Sequence, residues 1–170
     1  RSDQPEDELT IDAMRRDVRA ARERGDIQES HRLLATMLDT ATIAGDQHRM
    51  ASIEEEIGDL YTALGDYPNA LSHLLHALAL REETADLDGI GSLLGVIGIV
   101  HGKSGDLEKA HHFLTESLTA HRESGNAEME VLTTRNLGEI QYSRGNLDEA
   151  LDCGLRALAV YEALGDHRNK

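Results

Sequence analysis

The segment IGDLYTALGDYPNALSHLLHAL, residues 57–78, carries the end of one helix and the start of the next. Gly65 precedes Asp66 at its centre, and apolar residues recur at helical spacing on both sides. Glycine closes a helix in the left-handed conformation, and aspartate caps the N-terminus of the following helix. Pro68 falls in the first turn after the aspartate, where its missing N–H is tolerated. The segment therefore predicts two helices joined by a turn at residue 65.

The same pattern recurs every twenty residues. A small residue followed by Asp or Asn stands at Gly25-Asp26, Gly45-Asp46, Gly65-Asp66, Ala85-Asp86, Gly105-Asp106, Gly125-Asn126, Gly145-Asn146 and Gly165-Asp166. A forty-residue repeat is superposed, in which Gly58, Gly98 and Gly138 align, as do Leu38, Leu78, Leu118 and Leu158. Odd and even helices thus differ in their apolar faces. The sequence predicts an all-α solenoid of four antiparallel helix pairs.

These turns set the expected boundaries. We expect a polar tail over residues 1–7 and a repeat domain over 8–166, followed by the start of a further helix at 167–170. The four units are predicted at about 8–45, 46–86, 87–125 and 126–165. Because the last Gly-Asp pair again precedes helix-forming sequence, we expect the segment to belong to a larger protein.

Composition narrows the class of partner. The 170 residues carry a net charge of −15, which disfavours nucleic acid and anionic membranes and favours a partner with basic residues. The polar start and the lack of long apolar runs indicate no signal peptide or membrane span. The single cysteine, Cys153, excludes internal disulfides and is interpreted as a buried structural thiol. We expect a cytoplasmic protein with no cofactor.

Residues 57–78 and 137–158 resemble tetratricopeptide repeats. The matching positions in the first of these segments are Ile57-Gly58, Tyr61, Gly65, Tyr67, Ala70, Ala77 and Leu78. His101 stands where the pattern has tyrosine, and the period is forty residues instead of the usual 34. Forty-residue versions are found in kinesin light chains, spindle-orientation adaptors and bacterial signalling proteins. The resemblance implies a right-handed superhelix that binds a protein or peptide in a concave groove.

In that family the first helix of each pair lines the groove. The resemblance therefore implies a binding site at Glu55, Asp59, Thr62, Gly95, Ile99, Gly102, Arg135, Asn136, Glu139 and Tyr142. The implied role is a non-catalytic interaction module. Two alternatives stay open: a regulatory or dimerisation domain of a bacterial signalling enzyme or transcription regulator, and a sensor module for a metal or small ligand.

The glycine-rich segment 89–105 needs its own explanation. Gly102-Lys103-Ser104 lacks the glycine at position 97 that a phosphate-binding loop requires, so a nucleotide site is not expected. Gly91, Gly95, Gly98 and Gly102 share one stripe of a helix. The stripe is explained either by close helix packing, by a depression that admits a ligand backbone, or by a self-association surface such as that of a homodimer.

Nine histidines raise the question of a metal site. His73 and His76 lie three residues apart on one helix, but the sequence places no carboxylate convincingly beside them. We interpret them as histidines of the surface or the groove rim, and predict no metal.

Overall fold

Eight helices follow one another along the described backbone, which covers residues 4–168 of the computed structural model; side chains are described for residues 11, 13–163 and 165. The helices are α1 (Gln4–Glu23), α2 (Ile27–Ala44), α3 (Gln47–Ala63), α4 (Tyr67–Glu83), α5 (Leu87–Ser104), α6 (Leu107–Ser124), α7 (Ala127–Ser143) and α8 (Leu147–Arg168). No strand occurs in this range. The predicted all-α class is confirmed.

The turns have the predicted chemistry. The side chains of the five aspartates and of Asn126 that precede α2 to α7 each accept a hydrogen bond from the backbone N–H three residues later. The glycines before these caps adopt the left-handed conformation, for example Gly45 with φ +67°. Ala85 occupies the same place with φ +53°, a conformation that costs an L-residue with a Cβ about 1 kcal/mol or more. Seven of the eight expected turns therefore form.

The eighth expected turn, at Gly165-Asp166, does not form. Helix α8 continues through both residues to Arg168. At the other end α1 begins at Gln4, inside the expected polar tail, whose first three residues lie outside the described range.

The described helices divide into two compact units. Unit 1 ends at Thr84 and contains α1 to α4. One buried cluster joins α1, α2 and α3 and contains Leu34, Met37, Ile53 and Ile57, and α4 buries Leu74. Helices α3 and α4 approach closely at Gly58. A Cβ added at this residue would lie only 2.7 Å from Leu74 Cγ.

Unit 2 begins at Ala85 and contains α5 to α8. Helix α6 packs against both α5 and α7, and α7 packs against α8. Leu114, Leu118, Leu137 and Cys153 form a buried cluster across α6, α7 and α8. Burial raises the pKa of the Cys153 thiol, which keeps it protonated among apolar neighbours.

Candidate binding site

Three of the predicted groove residues, Glu55, Asp59 and Thr62, lie on α3 in unit 1. Glu55 accepts a hydrogen bond from Arg81 Nη2 at 2.7 Å, and both side chains are largely buried. Thr62 Oγ1 donates to the carbonyl of Gly58 at 2.9 Å. Asp59 is exposed, at a small pocket of about 240 Å³. The negative charge of Glu55 is thus already paired with a cation of its own unit.

Four other predicted residues come together in unit 2. Ile99 and Gly102 of α5 and Asn136 and Glu139 of α7 line one pocket of about 270 Å³. Its remaining lining residues are Lys103, Leu114, Ile140 and Ser143. Ile99, Leu114 and Ile140 are its apolar members.

We call this cavity the α5–α7 pocket, and its rim is polar. Asn136 is half-buried, and its side-chain amide has no hydrogen-bond partner among the described residues. Lys103 is exposed and forms no ion pair within that part of the chain. Glu139 is 72% exposed, and its carboxylate lies 3.9 Å from Arg135 Nε. Donors, an acceptor and charges of both signs therefore surround an apolar floor.

Arg135 and Tyr142 line a second hollow, between α7 and α8. It measures about 410 Å³, and Gly138, Ala150 and Gly154 form its base. Tyr142 is 69% exposed. The predicted groove residues of unit 2 therefore line two separate cavities, the α5–α7 pocket and the hollow between α7 and α8. Glu139 lines both.

Most of the α5 glycine stripe faces α6 and is filled by its side chains. A Cβ on Gly91 would lie 3.0 Å from His121 Cε1, and one on Gly95 would lie 3.1 Å from Ser117 Oγ. Ser117 Oγ also donates to the carbonyl of Gly91 at 2.7 Å. Of the three explanations for the stripe, close helix packing therefore accounts for Gly91 and Gly95, because side chains of α6 occupy the space beside them.

The fourth glycine of the stripe differs, since Gly102 lines the α5–α7 pocket. With Lys103 and Ser104 it forms the last turn of α5, where carbonyl groups point outward and disfavour phosphate.

Sequence reasoning missed a polar cluster between α3 and α4. Glu54 is 3% exposed, and its two carboxylate oxygens lie 2.6 Å from His73 Nδ1 and 2.8 Å from His76 Nδ1. Tyr61 stacks on the ring of His73, and its hydroxyl lies 3.1 Å from His31 Nε2. The interpretation that no carboxylate stands beside the two histidines is wrong.

The spacing of His73 and His76 was the available signal, but Glu54 stands in an acidic run that resembles a solvated helix face. No group of three or more His, Cys, Asp or Glu in the described part of the chain has a geometry that could hold a metal ion. The cluster satisfies a buried carboxylate by hydrogen bonds.

No helix in the described range is long and apolar enough to cross a membrane. The capped helix pairs define a helical-repeat protein. The sequence matches the family described as Tetratricopeptide repeat over residues 49–123 and again over 132–164, which together make up more than half of the chain. The chain belongs to the tetratricopeptide-repeat family.

Solved structures show the same fold at low sequence identity. A signal transduction ATPase with numerous domains and a tetratricopeptide-repeat sensor, from Pyrococcus horikoshii, is 16% identical with a TM-score of 0.84, over 96% of this chain and 25% of its own. Aspartyl phosphate phosphatase F from Bacillus subtilis is 15% identical with a TM-score of 0.83, over 93% of this chain and 42% of its own.

A third is the Rap conjugation gene regulator of plasmid pLS20 in complex with the Phr* peptide. It is 15% identical with a TM-score of 0.70, over 84% of this chain and 40% of its own. The chain thus spans between a quarter and under half of the length of these three proteins. No curated protein sequence matches it.

Proposed function

We propose that the chain is a protein–protein interaction module that binds a peptide or an extended protein segment at the α5–α7 pocket. The observation that carries this proposal is the unpartnered amide of Asn136 above an apolar floor. A carboxamide offers one acceptor and two donors, so it can pair with both the N–H and the C=O of a peptide group. Ligand pockets commonly combine such a convergent polar group with apolar walls.

The remaining lining residues specify what the ligand carries. Ile99, Leu114 and Ile140 suit an aliphatic side chain of the ligand, because that side chain leaves water on entry. Glu139 at the rim favours a Lys or Arg on the ligand, in line with the net charge of −15. Lys103 carries the opposite charge to Glu139, so it favours an acidic group at a different position along the same ligand.

The peptide-bound regulator among the structural neighbours supports a peptide as the ligand class, by analogy of fold. A second role is favoured by the sensor-bearing ATPase and the phosphatase, whose matching repeats make up only part of each chain. On that basis the chain acts within a larger cytoplasmic signalling protein as its regulatory region. Occupancy of the α5–α7 pocket is then the input that this region transmits.

The test is selection of peptides from a random library displayed on phage, followed by fluorescence anisotropy with the most enriched peptide. Ile99→Glu places a charge on the apolar floor, and Asn136→Ala removes the amide. Both are expected to weaken binding by about ten-fold or more. Leu75→Glu, on the 46%-exposed Leu75 of α4, is the matched control and should leave binding unchanged. Peptides that bind both pocket variants as tightly as wild type would place the site elsewhere, and a library without enriched peptides would count against peptide binding altogether.

A further inference from the structure

The α5–α7 pocket has a counterpart in unit 1, which we call the α1–α3 pocket. It measures about 240 Å³ and lies where α1, α2 and α3 meet. A shift of two forty-residue repeats relates four lining residues of the first pocket to four of the second. These are Gly102, Glu139, Ile140 and Ser143 in unit 2, which correspond to Arg22, Asp59, Leu60 and Ala63 in unit 1. The chain therefore contains two versions of one pocket.

The two versions differ most at Gly102, whose counterpart is Arg22. The Arg22 side chain crosses from α1 to α3, where its Nη2 donates to the carbonyl oxygen of Glu56 at 2.8 Å. Burial raises the pKa of Glu56, and the positive charges of Arg15 and Arg22 oppose that rise. In unit 1, then, an arginine of the chain itself lines the pocket and joins its two walls.

Unit 2 lacks this arginine but keeps groups that can receive one. Asn136 is the counterpart of Glu56, so its main-chain carbonyl has the equivalent position on α7, and its carboxamide adds a second acceptor oxygen. Glu139, the counterpart of Asp59, supplies a carboxylate that is 72% exposed. The acceptors at this edge of the pocket therefore match those that surround the guanidinium in unit 1.

The apolar lining suits the stem of an arginine. A Cβ on Gly102 would lie 2.9 Å from Ile140 Cδ1, so this methyl group borders the space that a side chain at position 102 would occupy. Ile99 lines the same pocket. Arginine buries its methylene groups along such surface and keeps its charge at the edge. Its planar guanidinium carries five donors and can reach a carbonyl and a carboxylate together, whereas lysine presents a single compact charge.

We propose that the α5–α7 pocket binds an arginine side chain of the partner, in the place that Arg22 holds in the α1–α3 pocket. Its guanidinium donates to an oxygen of Asn136 and pairs with Glu139, and its stem lies against Ile99 and Ile140. This inference rests on the proposed function, because it names the residue that the bound segment carries there. The aliphatic group expected on the apolar floor is the stem of that arginine.

The probe is a capped tripeptide with arginine between two alanines, titrated into the whole chain and followed by heteronuclear NMR of the amide groups. Matched tripeptides carry lysine or leucine at the centre. The arginine peptide should shift the signals of Gly102, Asn136 and Ile140, and should bind at least about five-fold more tightly than either analogue. Equal binding of the leucine peptide would overturn the assignment of arginine but would leave a peptide site at this pocket.

Two substitutions exchange the character of the pockets. Gly102→Arg supplies the arginine from α5 itself and should abolish binding of the arginine peptide. Arg22→Gly should open the α1–α3 pocket, so that the same peptide also shifts the signals of Leu60 and Ala63. Arg22→Ala repeats this test without the cost of a glycine in a helix. Peptide binding that survives Gly102→Arg overturns the proposal, as does the absence of new shifts in both Arg22 variants.

The controls separate this inference from the proposed function. Leu75→Glu should leave tripeptide binding unchanged, and circular dichroism of each variant excludes unfolding as the cause of a loss. Library peptides that need Asn136 but contain no arginine would overturn the inference and leave the proposed function intact. Tripeptide binding that is unaffected by both Asn136→Ala and Ile99→Glu would count against both.

Discussion

Acidification from about pH 7.5 to about pH 5.5 is expected to destabilise unit 2 through His121. This side chain is 1% exposed, and neither ring nitrogen has a hydrogen-bond partner in the described part of the chain. Burial lowers the pKa of His121, and the nearby carboxylate of Asp88 opposes that shift only in part. The folded state therefore holds this imidazole neutral against the apolar packing of α5 and α6.

Proton linkage determines the direction in which the free energy of unfolding changes with pH. An unfolded histidine takes up a proton near pH 6.5, whereas folded His121 does so only at lower pH. The unfolded state thus binds more protons below pH 6.5, and the free energy of unfolding falls as pH falls. One such histidine contributes up to about 1.4 kcal/mol per pH unit, which amounts to about 1 kcal/mol over this interval. Burial also lowers the pKa of His101, so this residue adds to the loss of stability on acidification.

The assay is urea unfolding followed by circular dichroism at both pH values, for wild type and for His121→Leu. The variant carries no titrating group at this position, so its loss of stability on acidification should be smaller by about 1 kcal/mol. His48→Leu removes an exposed histidine and should behave as wild type does. Equal pH dependence in wild type and His121→Leu would refute the reasoning, since the burial of His121 would then carry no protonation cost.

Gly98→Ala should lower the free energy of unfolding by about 2 kcal/mol, measured by urea titration, because its Cβ would lie 2.7 Å from a leucine Cγ of α6. Gly154→Ala, which meets no neighbour, should instead raise it by up to about 1 kcal/mol; destabilisation there would show that the hollow is smaller than described. Ala85→Gly should raise the thermal midpoint by relieving the left-handed strain, worth about 1 kcal/mol, and a lower midpoint would contradict that account. Glu54→Ala should cost about 2 kcal/mol or more in urea unfolding, because two imidazole donors lose a shared acceptor; an unchanged midpoint would mean that water replaces the carboxylate at no cost.

The helices could be predicted because their boundaries depend on local contacts. Asp66 caps α4 through a backbone N–H only three residues away, and Gly65 needs only its own left-handed φ. Such contacts recur wherever the same two residues recur. Gly165 and Asp166 are the same two residue types as Gly65 and Asp66, yet α8 continues through both to Arg168.

The site was harder to predict, because it depends on how each helix is rotated towards its neighbours. The resemblance placed Gly95 in an open groove, but Ser117 fills the space beside it. That contact joins residues 22 positions apart, and the sequence gives no measure of it. Ile99, Gly102, Asn136 and Glu139 do line a common pocket, because they fall on the faces of α5 and α7 that their helical phase predicts.

Burial of charge was also invisible in the sequence. Glu54 is the first of three consecutive glutamates, and only its position on α3 turns it towards the imidazoles of α4. Whether a glutamate in this run is solvated or buried depends on how α3 packs against α4, and the sequence alone does not show that packing.

The caps have a consequence for the evolution of the chain. Because each Asp or Asn acts on a backbone N–H within its own helix, one junction can stand in for another. Removal of residues 86–125 would join Ala85 directly to Asn126 and recreate a small residue followed by a cap, with every later position in phase. Deletion or duplication of a whole forty-residue block thus keeps a small residue and a capping residue at the new junction. Loss of a single residue would instead rotate the helix that follows by about 100° relative to its cap. Growth and shortening of this gene by recombination should therefore proceed in complete helix pairs.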